Sequence, residues 1–192
     1  MKLRSFQDKV IVVTGAGNGL GAALARHFSR LGGKVILIDI NKGAIDAVSM
    51  ETAKDGSYHI PECKVIDVVD DRTFSATLED VKKAYGSLDI IVNNAGILMA
   101  GEARDMNQAM FRKITDINLM GVVNGSLAAF KIMAAQGHGK IVNISSISGL
   151  IGGNRCKKRF FEYMVFGGIH DVTCIKDSGP QRTWTNHHDI NP

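Results

Sequence analysis

The sequence predicts an α/β fold in which helices cover both faces of a doubly wound parallel sheet. Up to residue 153, segments with the apolar runs of strands alternate with segments that have helical spacing. Several strand segments are continuously apolar, as strands buried on both faces of a sheet are. We expect the strand order 3-2-1-4-5, with a ligand crevice where the order reverses.

The first two predicted strands flank a glycine-rich turn and a helix. Val10 to Val13 form the first strand, and Lys34 to Ile40 form the second. Between them, apolar residues recur at helical spacing and the pair Gly32-Gly33 ends the helix. The predicted apolar stripe of this helix is Leu20, Leu24, Phe28 and Leu31.

Three more strands follow, and the first of them is weak. They span Cys63 to Val69, Leu88 to Val92 and Lys140 to Ile144. Asp70 or Asp71 is expected to cap the helix between the third and fourth strands, because an aspartate can accept the first N–H groups of a helix. The predicted stripe of that helix is Phe74, Leu78, Val81 and Tyr85.

The connection between the fourth and fifth strands is a long helical stretch. It runs from about Asn107 to Gln136, with an interruption near residues 115–118. Its second half has an apolar stripe at helical spacing, which predicts packing on the sheet. That stripe is Val122, Val123, Leu127, Phe130 and Met133.

Composition limits the class of protein. A length of 192 residues favours one main domain, and the net charge of +4 is mild. A local patch at Lys157-Lys158-Arg159 does not extend into a basic face, so nucleic acid is not an expected partner. Three widely spaced cysteines predict free thiols, and neither a signal peptide nor a membrane span is expected. A cytoplasmic location follows as the default.

The glycine-rich turn has the pattern of a phosphate site. Thr14 to Gly21 lie between a buried strand and a helix, where glycines let the backbone approach a pyrophosphate. Asp39 ends the second strand and can accept hydrogen bonds from ribose hydroxyls. Its carboxylate would repel the 2′-phosphate of NADP, and Asn18 adds no positive charge. The sequence therefore predicts NAD as cofactor.

Five motifs together resemble the short-chain dehydrogenase/reductase family. They are the T-G-x-x-x-G-x-G loop, Asp67-Val68, N-N-A-G at 93–96, Asn118 within D-I-N-L, and I-V-N-I-S-S at 141–146. The resemblance covers residues 6–153. It implies a Rossmann fold and hydride transfer between NAD and a secondary alcohol or ketone.

The resemblance also implies roles for individual residues. Catalytic roles fall to Asn118, which would hold a water in a proton relay, and to Ser146, which would bind the substrate oxygen, with Ser145 as the alternative. Val68 with Asp67 would flank the adenine, and Asp39 would bind the ribose. The other cofactor-binding positions are Gly15, Asn18, Gly19, Leu20, Gly21, Asn94, Ala95 and Gly96.

The segment 154–192 departs from the family pattern. The family's catalytic tyrosine and lysine correspond to Arg159 and Tyr163, and this segment contains no Y-x-x-x-K. Tyr163 with Lys157 or Lys158 is the substitute left open. The histidines in this segment do not have the spacing of a metal site, so no metal is expected.

This departure affects the expected domain boundary, sheet edge, oligomeric state and function. Residues 1–153 are expected to form the NAD-binding domain and residues 154–192 a divergent, poorly ordered tail. Without further family strands, the fifth strand would be an exposed sheet edge. An oligomer is left open, because the helix that the family uses for subunit contacts has no counterpart in the sequence. The alternative function is a catalytically inactive NAD-binding or partner-binding remnant.

Overall fold

A computed structural model describes residues 6–98, 107–145, 171–175 and 185–186 of this chain. Its strands, named in chain order, form one sheet with the order β3-β2-β1-β4-β5-β6-β7. The first five strands pair in parallel, which confirms the predicted order 3-2-1-4-5. They are β1 (Val10–Thr14), β2 (Lys34–Asp39), β3 (Glu62–Val65), β4 (Ile90–Asn93) and β5 (Gly139–Asn143).

Helices connect these strands and cover both faces of the sheet. A core with Phe74 and Leu78 lies on one face, and a core with Ile45 and Ala25 lies on the other. The helices are α1 (Gly19–Arg30), α2 (Lys42–Lys54), α3 (Asp71–Tyr85), α4 (Gln108–Thr115) and α5 (Gly121–Gln136). A π-helical turn at Asp116–Met120 joins α4 to α5. This turn is the predicted interruption of the long helix.

The third strand is shorter than predicted. It ends at Val65, and the carboxylate of Asp67 then accepts the N–H of Val69 at 3.0 Å. Asp70, one of the two predicted caps, accepts the N–H of Thr73 at the start of α3. Short polar side chains form such local hydrogen bonds readily, and here they end the strand early.

Two predicted helical stripes are partly wrong. Leu20 is 52% exposed in α1, and Leu127 is 58% exposed in α5. The buried faces of both helices contain several small residues, which allow a closer approach to the sheet. The buried positions are Gly21, Ala22, Ala25 and Ser29 in α1, and Gly121, Val122, Gly125, Ala128, Ala129, Ile132 and Met133 in α5.

The expectation of an unpaired edge at the fifth strand is wrong. Strand β6 (Asp171–Ile175) pairs with β5 in antiparallel register from Gly139↔Ile175 to Asn143↔Asp171. Strand β7 (Thr185–Asn186) pairs in turn with β6. Backbone pairing covers this edge, so the parallel part of the sheet ends at β5 while the sheet continues. The domain boundary at 153 lies outside the described residues.

The helical stretch Gln108–Gln136 is long and apolar enough to cross a membrane by length and composition alone. Helices in the core of soluble proteins pass the same test. Here Ala129 and Met133 are fully buried, and the second half of the stretch packs against α3, β4 and β5. This burial is typical of a core helix. The expected absence of a membrane span stays a prediction.

Candidate functional site

The predicted site residues that the structure describes gather at the carboxyl edge of the parallel strands. The glycine loop follows β1, Asp39 ends β2, and Asn94 follows β4. Because β2, β1 and β4 are adjacent and parallel, their carboxyl ends lie side by side. The order reverses between β1 and β4, and open α/β sheets bind ligands at such a point.

Steric contacts require glycine at two positions of the loop. A Cβ atom on Gly21 would lie 2.2 Å from the carbonyl oxygen of Gly15. A Cβ atom on Gly15, whose φ is +61°, would lie 2.8 Å from the Cα of Ala95. The start of α1 is thus held tightly against the ends of β1 and β4.

Gly19 differs from these two glycines because it faces open space. Its φ is +52°, and among the described residues no atom outside its chain neighbours and its own helix lies within 4 Å of the position that a Cβ would take. The preceding residue, Asn18, caps α1 by accepting the N–H of Gly19 at 2.7 Å. The first turn of α1 therefore presents accessible backbone at a helix N-terminus, where an anion is favoured.

Asp39 is fixed at the entrance to this loop. Its Oδ2 accepts the N–H of Gly17 at 3.0 Å, and its Oδ1 accepts the N–H of Asn41 at 3.0 Å. A Cβ on Gly17 would lie 2.7 Å from the Cβ of Ala44, so α2 closes on the loop there. A carboxylate has about four acceptor positions, and these two bonds use about half of them. The half-buried carboxylate keeps capacity for hydroxyl donors.

Asn94 joins the ends of β4 and β1. Its side-chain amide donates to the carbonyl oxygens of Thr14 at 2.9 Å and Gly15 at 3.3 Å. In return, the buried hydroxyl of Thr14 accepts the N–H groups of Asn94 at 2.9 Å and Ala95 at 3.0 Å. Thr14 is the first residue of the loop motif, but the sequence analysis gave it no role of its own. Its place immediately before the first glycine of the loop was the available signal.

Asn118 lies in the π-helical turn and holds the segment that follows β4. Its Oδ1 accepts the N–H of Ile97 at 2.8 Å, and its Nδ2 donates to the carbonyl of Ile97 at 2.9 Å. Gly96 lies directly beside this pair, because a Cβ there would be 3.4 Å from Oδ1. The described partners of the side chain are thus backbone atoms, and its contact with a water stays a prediction.

Asp67 and Val68 point in different directions. Asp67 is exposed, and its neighbour Ile66 donates its N–H to the carbonyl of Asp39 at 3.1 Å, so the loop lies beside Asp39. The side chain of Val68 is only 6% exposed and packs against Gly121 of α5. A contact from Val68 to a ligand would therefore come from its backbone. Asn124, which holds this backbone, was missed in the sequence.

The end of β5 is joined to β4 by side-chain amides, of which that of Asn93 is buried. Asn93 donates its side-chain N–H groups to the Oδ1 of Asn143 at 2.8 Å and to the hydroxyl of Ser126 at 3.1 Å. Ser145, two residues after β5, is half-buried. Ser146 and Tyr163, the predicted catalytic residues, lie outside the described residues.

The cleft fits a dinucleotide. Glycines allow close backbone approach, the apolar side chain of Leu20 is 52% exposed in the first turn of α1, and Asp39 stands at the end of β2. Lys42 is the cation nearest to Asp39 in the sequence. It is paired with Asp46, and the hydrogen bond to this carboxylate raises the pKa of Lys42. Among residues 6–98 and 107–145, no cluster of histidine, cysteine and carboxylate side chains has the form of a metal site.

Comparison with known families decides the classification. The model of the short chain dehydrogenase family matches residues 9–157. The chain belongs to the short-chain dehydrogenase family. The predicted resemblance is therefore confirmed, and the family is one of oxidoreductases.

Similar short-chain dehydrogenases are found among curated proteins. Meso-2,3-butanediol dehydrogenase of Serratia marcescens is 37% identical over 147 residues, which cover 77% of this chain and 57% of that protein. Cis-4-hydroxycyclohexanecarboxylate dehydrogenase of Sinomonas cyclohexanicum is 35% identical over 149 residues, covering 77% and 59%. Both names describe active oxidoreductases, so the inactive alternative gains no support from them.

Solved structures of short-chain dehydrogenases have the same fold. NAD+-bound xylitol dehydrogenase superposes with a TM-score of 0.77 at 28% identity, over 85% of this chain and 62% of that one. Levodione reductase gives 0.75 at 31% identity, over 82% and 60%. The chain spans less than two thirds of the length of these relatives.

Proposed function

We propose that this chain is an NAD-dependent oxidoreductase that acts on a secondary alcohol or a ketone. The cofactor preference, the substrate class and a cytoplasmic location are all part of this proposal. The observation that carries it is Asp39, whose carboxylate is fixed at the end of β2 by the N–H groups of Gly17 and Asn41. Support also comes from the similar xylitol dehydrogenase, whose crystal structure is NAD+-bound.

Electrostatics at Asp39 favour NAD over NADP. A phosphate on the ribose 2′ position would bring negative charge next to the carboxylate. At about 5 Å and an effective dielectric constant of about 20, two unit charges repel by roughly 3 kcal/mol. Salt and solvent reduce this value for a half-exposed group. A preference for NADH over NADPH of tenfold or more is the expected result.

Each end of the cleft has its own residues. Asp39 would accept the ribose hydroxyls, while the open backbone at Gly19 would face the pyrophosphate, with Leu20 beside the nicotinamide. When bound, NAD supplies the nicotinamide carbon that accepts or donates a hydride. Asn118 holds the segment after β4 in place. For proton exchange we propose Ser146 to orient the substrate oxygen and Tyr163 to carry its proton.

The first experiment is a thermal-shift titration of the full chain with NADH and, in parallel, NADPH. A saturable stabilisation by NADH that exceeds that by NADPH supports the proposal. In Asp39→Asn the preference should fall, because the repelling charge is gone. Glu51→Gln is the matched control, since it removes one negative charge from exposed α2, where Glu51 pairs with Arg26. No shift with either cofactor would end the proposal.

The second experiment tests turnover. NADH absorbance would be followed with a panel of secondary alcohols, and its consumption with the matching ketones. Loss of turnover in Ser146→Ala and in Tyr163→Phe, with NADH binding intact, would support the assigned roles. NADH binding without turnover of any panel member would favour the inactive remnant, which the missing Y-x-x-x-K motif in 154–192 makes the specific rival.

A further inference from the structure

The helix that follows Asn118 also holds the loop after β3. The side-chain amide of Asn124 donates to the carbonyl oxygen of Val68 at 3.0 Å and to that of Val69 at 3.4 Å. One turn earlier, a Cβ atom on Gly121 would lie 2.6 Å from Cγ2 of Val68. Backbone carbonyls and a buried side chain of the loop are thus both held by α5.

This loop belongs to the Asp39 side of the cleft. Ile66 donates its N–H to the backbone carbonyl of Asp39 at 3.1 Å. The chain therefore leaves its pairing with β2 next to Asp39. The Asp67 carboxylate then accepts the N–H of Val69, which makes the loop a defined turn. Its position depends on three attachments, namely β2, its own aspartate and Asn124.

We propose that Asn124 is a positioning residue for the adenosine half of the cofactor site. It acts through the Val68–Val69 carbonyls, which set where the exposed Asp67 and the loop backbone stand relative to Asp39. The nicotinamide half depends instead on the glycine loop and on the segment held by Asn118. The inference rests on the proposed NAD-binding function.

Substitutions of Asn124 can remove its hydrogen bonds to the carbonyls of Val68 and Val69 without lowering the stability of α5. Alanine is a better helix former than asparagine, so Asn124→Ala removes the two hydrogen bonds without weakening α5 intrinsically. Asn124→Asp keeps the shape but replaces the donor with a carboxylate that faces two carbonyl oxygens. Leu127→Ala is the control, because Leu127 is 58% exposed on the same helix.

The experiment measures fragment binding to the full-length chain. AMP and nicotinamide mononucleotide would each compete with NADH, with NADH fluorescence as the signal. Asn124→Ala is expected to raise the Kd of AMP about tenfold, the effect of losing roughly one net hydrogen bond's contribution. The Kd of nicotinamide mononucleotide should stay unchanged, and Leu127→Ala should leave both unchanged. Asn124→Asp should weaken AMP further, and if it does not fold, Asn124→Ala decides the question.

Each remaining outcome overturns a distinct statement. If wild type binds AMP and Asn124→Ala binds it equally well, the positioning role is wrong while the proposed function stands. If Asn124→Ala weakens both fragments equally, Asn124 supports the whole domain rather than one half of the site. If wild type binds neither NADH nor AMP, the proposed function fails and the inference fails with it.

Discussion

Replacing Asp89 with asparagine should destabilise the fold from the end opposite the site. Asp89 immediately precedes β4, and its side chain is 8% exposed. It accepts the N–H of Val10 at 3.0 Å, the hydroxyl of Ser87 at 2.8 Å and the ammonium of Lys9 at 2.9 Å. The backbone carbonyl of Asp89 accepts the N–H of Lys140 at 2.9 Å. This one residue therefore joins the amino ends of β1, β4 and β5.

The magnitude follows from the partners. Hydrogen bonds to a charged group contribute about 1.5–3 kcal/mol each, and exposed ion pairs contribute about 0.2–1 kcal/mol. Asparagine keeps one acceptor, but its amide turns a donor toward other donors. We expect Asp89→Asn to lower the free energy of unfolding by about 2–3 kcal/mol, or Tm by roughly 4–12 °C. Lys9→Met, which removes only the half-exposed partner, should cost under about 1 kcal/mol.

The pH dependence gives a second test of the same carboxylate. Burial alone would raise the pKa of Asp89, but hydrogen bonds from Val10, Lys9 and Ser87 outweigh it, so the pKa lies below its ordinary value. The contribution to stability is then complete above the unfolded-state pKa of about 3.9, and it is lost as pH falls through the lower folded-state pKa.

Urea unfolding at neutral pH and at several acidic pH values would measure both effects. The difference between wild type and Asp89→Asn should shrink on acidification below about pH 4. His138 is exposed, and its Nε2 lies 3.7 Å from the Asp89 carboxylate. The series is therefore repeated in His138→Gln. A loss for Asp89→Asn no larger than that for Lys9→Met would refute the reasoning.

Three further predictions concern the glycine loop and its support. Gly21→Ala should abolish the thermal shift given by NADH, because its Cβ would lie 2.2 Å from the Gly15 carbonyl oxygen. In the part of the chain that the structure describes, Gly19→Ala meets no atom within 4 Å beyond its chain neighbours and its own helix, so it should lose only the roughly 1–2 kcal/mol of a left-handed backbone and still fold. Thr14→Val leaves two N–H groups after β4 without their acceptor and should lower the free energy of unfolding by about 2 kcal/mol or more. Thr14→Ser, which keeps the hydroxyl, should restore most of it, and equal losses in both variants would contradict this account.

Much of the fold was predictable because local patterns decide it. The segment Val10 to Val13 is apolar throughout, and a strand whose sheet is covered by helices on both faces buries all of these side chains. The loop from Thr14 to Gly21 places Gly15, Gly17 and Gly21 where contacts across the chain demand glycine. Asp39 could be located by its distance along the sequence from the loop.

The parts that could not be predicted depend on how closely distant segments approach. Apolar spacing predicted burial of Leu20, but Gly21 and Ala22 bring α1 so close to the sheet that Leu20 stays outside. The pairing of β6 with β5 is formed by backbone hydrogen bonds, which no side-chain pattern records. The link from Asn124 to Val68 spans 56 residues, and nothing local indicates it.

The placement of Asp89 has a consequence for how this chain can change. The residue that ties three strands together stands at their amino ends, and the loops proposed to bind the cofactor stand at their carboxyl ends. Substitutions that alter ligand preference therefore fall in a different part of the molecule from the carboxylate that secures the sheet. A library that varies exposed positions of these loops and keeps Gly15, Gly21 and Asn94 unchanged should retain a high proportion of folded members. Such changes would leave the Asp89 hydrogen bonds at the opposite end of the sheet intact.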